Sequence, residues 1–144
     1  MAIITRERAS TVYIIPPHSR DPYRIDVNRP TIGLKLSGYT VFTTHSDPQR
    51  SNNEIVATIG KVARFMASDN ECQQRKWILM GDFNELPANL SPRLPQASNG
   101  CFIGIVAPAS ATRIAGSRII DYGVYGGPPS TAGSLLATTR RNEG

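Results

Sequence analysis

No apolar run in this chain approaches eighteen residues, which excludes a transmembrane helix. The opening segment, MAIITRERAS, offers only a few apolar residues before charge sets in, and that is not a secretory signal peptide. If the protein is exported, something outside this sequence directs it. Cysteine is scarce: Cys72 and Cys101 can form one bridge or none. There are no internal repeats. Charge is sparse at 19%, set against 40% hydrophobic residues, so the composition is not that of a disordered chain. The charge that is present has a sign. Lys and Arg number 16 against 11 Asp and Glu, a net +5, which favours a polyanionic partner such as nucleic acid or a phosphorylated lipid headgroup. The length of 144 residues suits a single domain spanning 1–144. A chain near that size hides roughly two-thirds of its unfolded surface.

The chain reads as many strands and one main helix. Thr11 to Ile15 is a short buried strand stopped by Pro16 and Pro17. The polar, proline-bearing stretch that follows, HSRDPYRIDVNRP, is loop or a poorly formed edge. In TIGLKLSGYTVFTTH, Ile32, Leu34 and Leu36 alternate with Gly33 and Lys35, Ser37-Gly38 supplies a turn, and Tyr39 to Thr44 is β-branched and aromatic. In SNNEIVATIGKVARFMASDN, Ile55, Ile59, Val62 and Met66 share one face at the helical period. Ser51 and Glu54 fit a capping box there, and Lys61 and Arg64 read as solvated surface. Lys76 to Met80 is a continuously apolar strand, expected to be buried on both sides. NELPANLSPRLPQASNG is loop with a helical turn. Cys101 to Ala107 and Arg118 to Tyr125 are further strands, the pattern admits a last one at Ser134 to Thr139, and RRNEG is a frayed tail. The class is α/β or α+β.

Three strand ends carry chemistry. In KWILMGDFNELP, Asp82 and Asn84 stand two apart just past an apolar run, where a carboxylate and an amide can converge on one ligand, and Gly81 lets backbone come close to it. Such oxygen donors suit a hard ion such as Mg²⁺. The plainer alternative is an Asx-type turn. In VFTTHSDP, His45 follows an apolar strand and can bond a phosphate oxygen or move a proton, or be no more than a surface or capping histidine. In SRIIDYGVYG, Asp121 sits within an apolar strand, where an unpaired carboxylate is costly. A nearby histidine is one partner it can take, and a backbone hydrogen bond is the other.

The three motifs together resemble the endonuclease/exonuclease/phosphatase superfamily of deoxyribonuclease I and the inositol polyphosphate 5-phosphatases. MGDFNELP looks like its signature, THSDP like its His-bearing strand end, and IIDYGV like its later Asp-bearing strand. Within that superfamily, NRPTIGLKLSGYTVFTTH and IVAPASATRIAGSRIIDYGVYG are similar to segments of the B subunits of cytolethal distending toxin, and the likeness runs from about Thr11 to Gly126. The resemblance implies the C-terminal part of a four-layer α/β sandwich. It also implies a Mg²⁺-dependent phosphodiesterase of the DNA endonuclease kind. By that likeness His45 contacts the scissile phosphate and supplies acid chemistry. Asp82 aligns or deprotonates water, and Asn84 binds phosphate and metal. Asp121 lies near the metal and the phosphate, and Arg29 is a basic group at the substrate phosphate.

Two family parts have no match here: a glutamate-bearing strand before Thr11, which carries the principal metal ligand, and a terminal Ser-Asp-His. The only histidines are His18 and His45. Losing members of an interdependent catalytic group costs on the order of 10³ to 10⁶ in rate, so impaired activity is expected. A half-sandwich is also expected to leave a sheet face or edge uncovered. The expected substrate is DNA, with a phosphoinositide monoester as the alternative; a third reading is a non-catalytic fragment that binds a partner protein. Partners implied are toxin delivery subunits or a complementary segment. Secretion follows from the resemblance, and a cytoplasmic location otherwise.

Overall fold

The helical face in the middle of the chain and the short β-branched runs on either side of it can hide their apolar atoms only against one another. The computed structural model describes residues 2–17, 29–48, 51–68 and 75–128. Within these, β1 (Thr11–Ile15), β2 (Thr31–Lys35), β3 (Tyr39–His45), β4 (Lys76–Asp82), β5 (Phe102–Val106) and β6 (Asp121–Gly127) form one sheet of six strands, ordered β1-β2-β3-β4-β6-β5. Only β3 and β4 run parallel; every other neighbouring pair is antiparallel. The parallel pair is the one with a helix between its members, α1 (Ser51–Ser68). The class is mixed α/β, as the sequence indicates.

Ile55, Ile59, Val62 and Met66 of α1 are fully buried, and they share a core with Phe42, Trp77, Leu79 and Val124 of the sheet. α2 (Pro87–Leu90) and the 3₁₀ run after it, Ser91–Ala97, add Leu90, Leu94 and Ala97 to the same core. Lys61 departs from the solvated-surface expectation. Its ammonium donates to the carbonyls of Pro16 (3.1 Å) and Pro17 (2.7 Å), tying the end of β1 to the helix. Arg64 is exposed, as expected. At the β2–β3 turn, Leu36 N–H donates to Tyr39 O, and Arg75 donates to the carbonyls of Leu36 and Ser37. The turn is thereby held against the start of β4.

The helices cover one side of the sheet. Side chains directly opposite one another in adjacent strands point to the same side, so the register defines the other side row by row. One row is Val12, Leu34, Val41, Ile78 and Tyr125; the next is Ile14, Ile32, Thr43 and Met80. This face is apolar and open at β1 and at the end of β4: Val12 is 62% exposed, Ile14 70% and Met80 42%. Three expectations change. β1 is not buried, because its outward residues belong to the open face. β4 runs on to Asp82 and is buried on one side only. In β2 the residues turned toward the helix side are Thr31 and Gly33, with the ring of Phe42 filling the space above Gly33, and Ile32 and Leu34 are the half-buried pair on the open face. Open-face apolar atoms add little to the fold they do not pack into. Val12→Thr with Ile14→Thr is therefore expected to change unfolding free energy by less than about 1 kcal/mol. The same pair should slow concentration-dependent aggregation, read by urea titration and by light scattering.

Cys101, next to β5, is disulfide-bonded. Cys72, His18, the last-strand and tail readings beyond residue 128, most of the loop after Pro17, and the side chain of Ser51 on which the capping box depends lie outside the described residues.

Candidate active site

Each apolar strand runs out into polar sequence at one end of the sheet, and the register sets those ends side by side. His45 is opposite Asp82 in the parallel β3–β4 pair, and Asp82 is opposite Asp121 in the antiparallel β4–β6 pair. The trio forms the third row of the open face, beyond Thr43 and Met80. With strands about 4.8 Å apart, the outer two residues are about 10 Å apart across β4. Thus imidazole and carboxylates from three separated segments face one space. His45 and Asp82 are half-buried and Asp121 is exposed.

A histidine partner for Asp121 is not found among the described residues, where His45 stands on the far side of β4 from it. Nor is Asp121 inside an apolar strand. β6 begins at Asp121 rather than at Arg118, and a carboxylate at an exposed strand start has no burial cost to offset. Its backbone is fixed instead. Thr112 Oγ1 accepts the N–H groups of both Ile120 and Asp121 at 3.0 Å.

Asp82 and Asn84 do not converge by strand alternation. β4 ends at Asp82, and Asn84 adopts a left-handed backbone with φ 52°. The plainer reading of this pair is realised: Asn84 N–H donates to Asp82 Oδ1 at 2.8 Å, an Asx turn. The turn is also what places the amide. Asn84 Nδ2 donates to Ser46 O at 2.8 Å, Ser46 N–H donates to Asp82 O at 3.0 Å, Ser46 Oγ donates to Phe83 O, and Phe83 N–H donates to Ile120 O at 2.8 Å. These bonds stitch the ends of β3, β4 and β6 together. Gly81 serves this stitching rather than the approach of a ligand: a Cβ there would fall 1.9 Å from Thr44 O of β3.

Arg29 is exposed and stands two residues before β2. Ile32 pairs with Thr43, so continuing the register brings the residue after Arg29 level with His45 and sets Arg29 at the same end of the sheet. Among the described residues no three His, Cys, Asp or Glu side chains gather as a metal-ligand group. The Asp82 and Asp121 pair does fit the sparse demand of Mg²⁺, which is commonly held by one or two carboxylates with waters and substrate phosphate completing its shell. A groove of about 340 Å³ along β5, lined by Leu94, Pro95 and Phe102 among others, contains none of the strand-end residues.

Sequence reasoning missed the support beneath the turn. Glu85 is 6% exposed and pairs with Arg93, which also donates to Asn89 O. Tyr122 stacks on Phe83, with ring centroids 4.3 Å apart, and its hydroxyl makes no hydrogen bond among the described residues. No periodicity announces an ion pair between a loop residue and the 3₁₀ run eight residues on. Burial, reinforced by the charge of Glu85 and opposed by that of Arg93, pushes the Tyr122 phenol well above its ordinary 10.0. A phenol with a raised folded pKa keeps its proton longer in the folded state. Its stabilising effect is therefore complete below pH 10 and is lost as pH climbs further. Tyr122→Phe is expected to flatten that alkaline loss and to cost little at pH 7, since it removes a hydroxyl without a partner, as urea titrations at pH 7 and above pH 10 would show.

No family model matches this chain. The crystal structure of the Haemophilus ducreyi cytolethal distending toxin superposes with TM-score 0.68 and 27% identity, covering 84% of this chain and 45% of that one. The fold is thus the deoxyribonuclease I-like α/β fold of the endonuclease/exonuclease/phosphatase superfamily. The cytolethal distending toxin B chain of Escherichia coli is 30% identical over 132 residues, which are 88% of this chain and 44% of the relative. Its homolog in Salmonella typhi is 31% identical over 124 residues, 86% and 43% of the two chains. The homologues of this chain are therefore B subunits of cytolethal distending toxin, and it spans a little under half of their length.

Proposed function

We propose that the row of His45, Asp82 and Asp121, with Asn84 and Arg29 beside it, is the phosphate-binding and water-activating part of a metal-dependent phosphodiesterase that acts on DNA. The single observation that carries this reading is the register that lines up His45, Asp82 and Asp121 on one face. A scissile phosphate placed over Asp82 would meet the imidazole on one flank and the second carboxylate on the other.

In this reading Asp82 accepts a proton from the attacking water, whose oxygen bonds to phosphorus in line with the departing oxygen. The half-buried imidazole of His45 donates to a phosphate oxygen and passes its proton to the leaving alkoxide. The amide of Asn84, pinned through Ser46, and the guanidinium of Arg29 hold phosphate oxygens and answer the charge that grows on them. Asp121 would hold Mg²⁺ together with the substrate phosphate, and that ion supplies Lewis-acid polarisation and charge neutralisation. The described groups include one histidine at the site and no third metal-ligating carboxylate, so turnover by these groups alone is expected to be slow. The relatives are named as toxin subunits. Export and association with further subunits accompany this reading.

The test is plasmid nicking with Mg²⁺ and with EDTA, beside phosphate release from a soluble phosphoinositide, each with Asp82→Ala as control. Metal-dependent nicking lost in the variant supports the proposal. Equal nicking by both proteins means no intrinsic activity, and phosphate release without nicking transfers the assignment to a monoester.

A further inference from the structure

β5 is the outermost strand beyond β6, and among the described residues no strand pairs with its other edge. Alternate residues of an edge strand aim their N–H and C=O groups outward, where charge, proline or a bulge ordinarily guards them. β5 reads FIGIV and has none of these guards: no charge, no proline and an unbroken register with β6. β1, the opposite edge, runs straight into Pro16 and Pro17, with the Lys61 ammonium on their carbonyls. Cys101, disulfide-bonded, fixes the point from which β5 starts.

The segment is also close to a palindrome. Turned end for end about Gly104, it sets Ile103 against Ile105 and Phe102 against Val106. Two identical strands paired antiparallel about a two-fold axis make those same matches, and each side chain keeps its face of the sheet. On the helix side, Ile103 and Ile105 border the groove of about 340 Å³ whose other wall includes Leu94 and Pro95. No charged side chain lines that groove. A second β5 beside the first brings its own two isoleucines to it. On the other side, the Tyr125 ring lies over Gly104, where a Cβ would stand 2.8 Å from its hydroxyl. An aromatic ring over an edge glycine fills the space of the missing side chain and pins the register. Along this uncharged strip two chains of net charge +5 can meet without bringing like charges together.

We propose that β5 is a self-recognition edge: two copies of this chain join β5 to β5, antiparallel about Gly104, so that the sheet of one continues into the sheet of the other. The proposal goes beyond the phosphodiesterase reading and does not rest on it. The two-fold axis stands perpendicular to the sheet, which keeps both rows of His45, Asp82 and Asp121 on the same side of the joined sheet and outside the junction. One short strand pair buries less than the roughly 1,200 Å² of a stable interface, so the dimer is a weak one, with Kd on the order of 10⁻⁵ to 10⁻⁴ M.

The test is sedimentation velocity of the whole chain over a concentration series that brackets this Kd. Phe102→Lys sets an ammonium against Val106 of the other copy twice in each dimer, and is expected to weaken association about tenfold. Adding Val106→Glu to it places opposite charges across both junction pairs and should return the affinity to within about threefold of the parent's. Val12→Thr with Ile14→Thr, at the other edge, is expected to leave association unchanged. Amide hydrogen exchange gives a reading that needs no variant: protection of residues 102–106 should rise with concentration while that of β1 stays constant. A parent that is monomeric throughout the series overturns the proposal. So does a dimer indifferent to Phe102→Lys at an unchanged melting temperature, or protection gained on β1 instead of β5. Plasmid nicking separates the two readings. A β5 dimer that does not nick overturns only the catalytic reading, whereas nicking by a chain that stays monomeric overturns only the junction.

Discussion

Asp82→Ala is expected to bring the slow Mg²⁺-dependent plasmid nicking of the parent down to the level of the EDTA control. Asp82 is the middle member of the row, the one position from which a carboxylate is adjacent both to the imidazole of His45 and to the carboxylate of Asp121. Removing it takes the proton acceptor and one of two neighbouring anionic groups together, and members of such a set act as a unit. The alanine change also strips the acceptor from Asn84 N–H, which would cost about 1 kcal/mol of stability and loosen the amide. Asp82→Asn separates the effects. Its carbonyl oxygen can still accept from Asn84, so the turn survives while the base is lost. Nicking rates for the three proteins, with melting temperatures beside them, decide the matter. An asparagine variant that nicks at the parent's rate would remove Asp82 from the chemistry and leave it a turn residue.

Gly81→Ala should have the largest effect on folding. The added methyl would stand 1.9 Å from Thr44 O, an atom of the neighbouring backbone that cannot rotate away. β3 and β4 would have to separate where His45 meets Asp82. A cost of about 3 kcal/mol is expected, at the upper end for forced overpacking, measured as a lower urea midpoint. Gly38→Ala is the control. Nothing lies within 4 Å of a Cβ there, and the change should be close to neutral. If both substitutions proved equally mild, the close approach of the two strand ends would be wrong.

Much of this molecule is legible in its sequence. The periodicity of Ile55, Ile59, Val62 and Met66 located α1 and its buried face, and the polar residues past the apolar runs marked strand ends that the sheet sets side by side. The misreadings share a cause. β1 and β4 looked buried because apolar runs carry no record of whether a second layer covers them, and here one face is open. Asp121 looked enclosed because SRIIDYGVYG is apolar, but the strand begins only at the aspartate. Glu85 and Arg93 gave no signal because an ion pair between a loop and the 3₁₀ run after it follows no period.

By itself the sequence determined the classes of element, the buried face of the helix and the polar residues at the strand ends, since each is a matter of local periodicity and side-chain chemistry. Only the tertiary structure decided which of those residues are neighbours, that Asn84 turns back toward Ser46, and that the row of His45, Asp82 and Asp121 lies on the side of the sheet opposite the helices. Pairing between strands is set by hydrogen bonds across long sequence separations, and those bonds carry no signature in any one stretch of the chain.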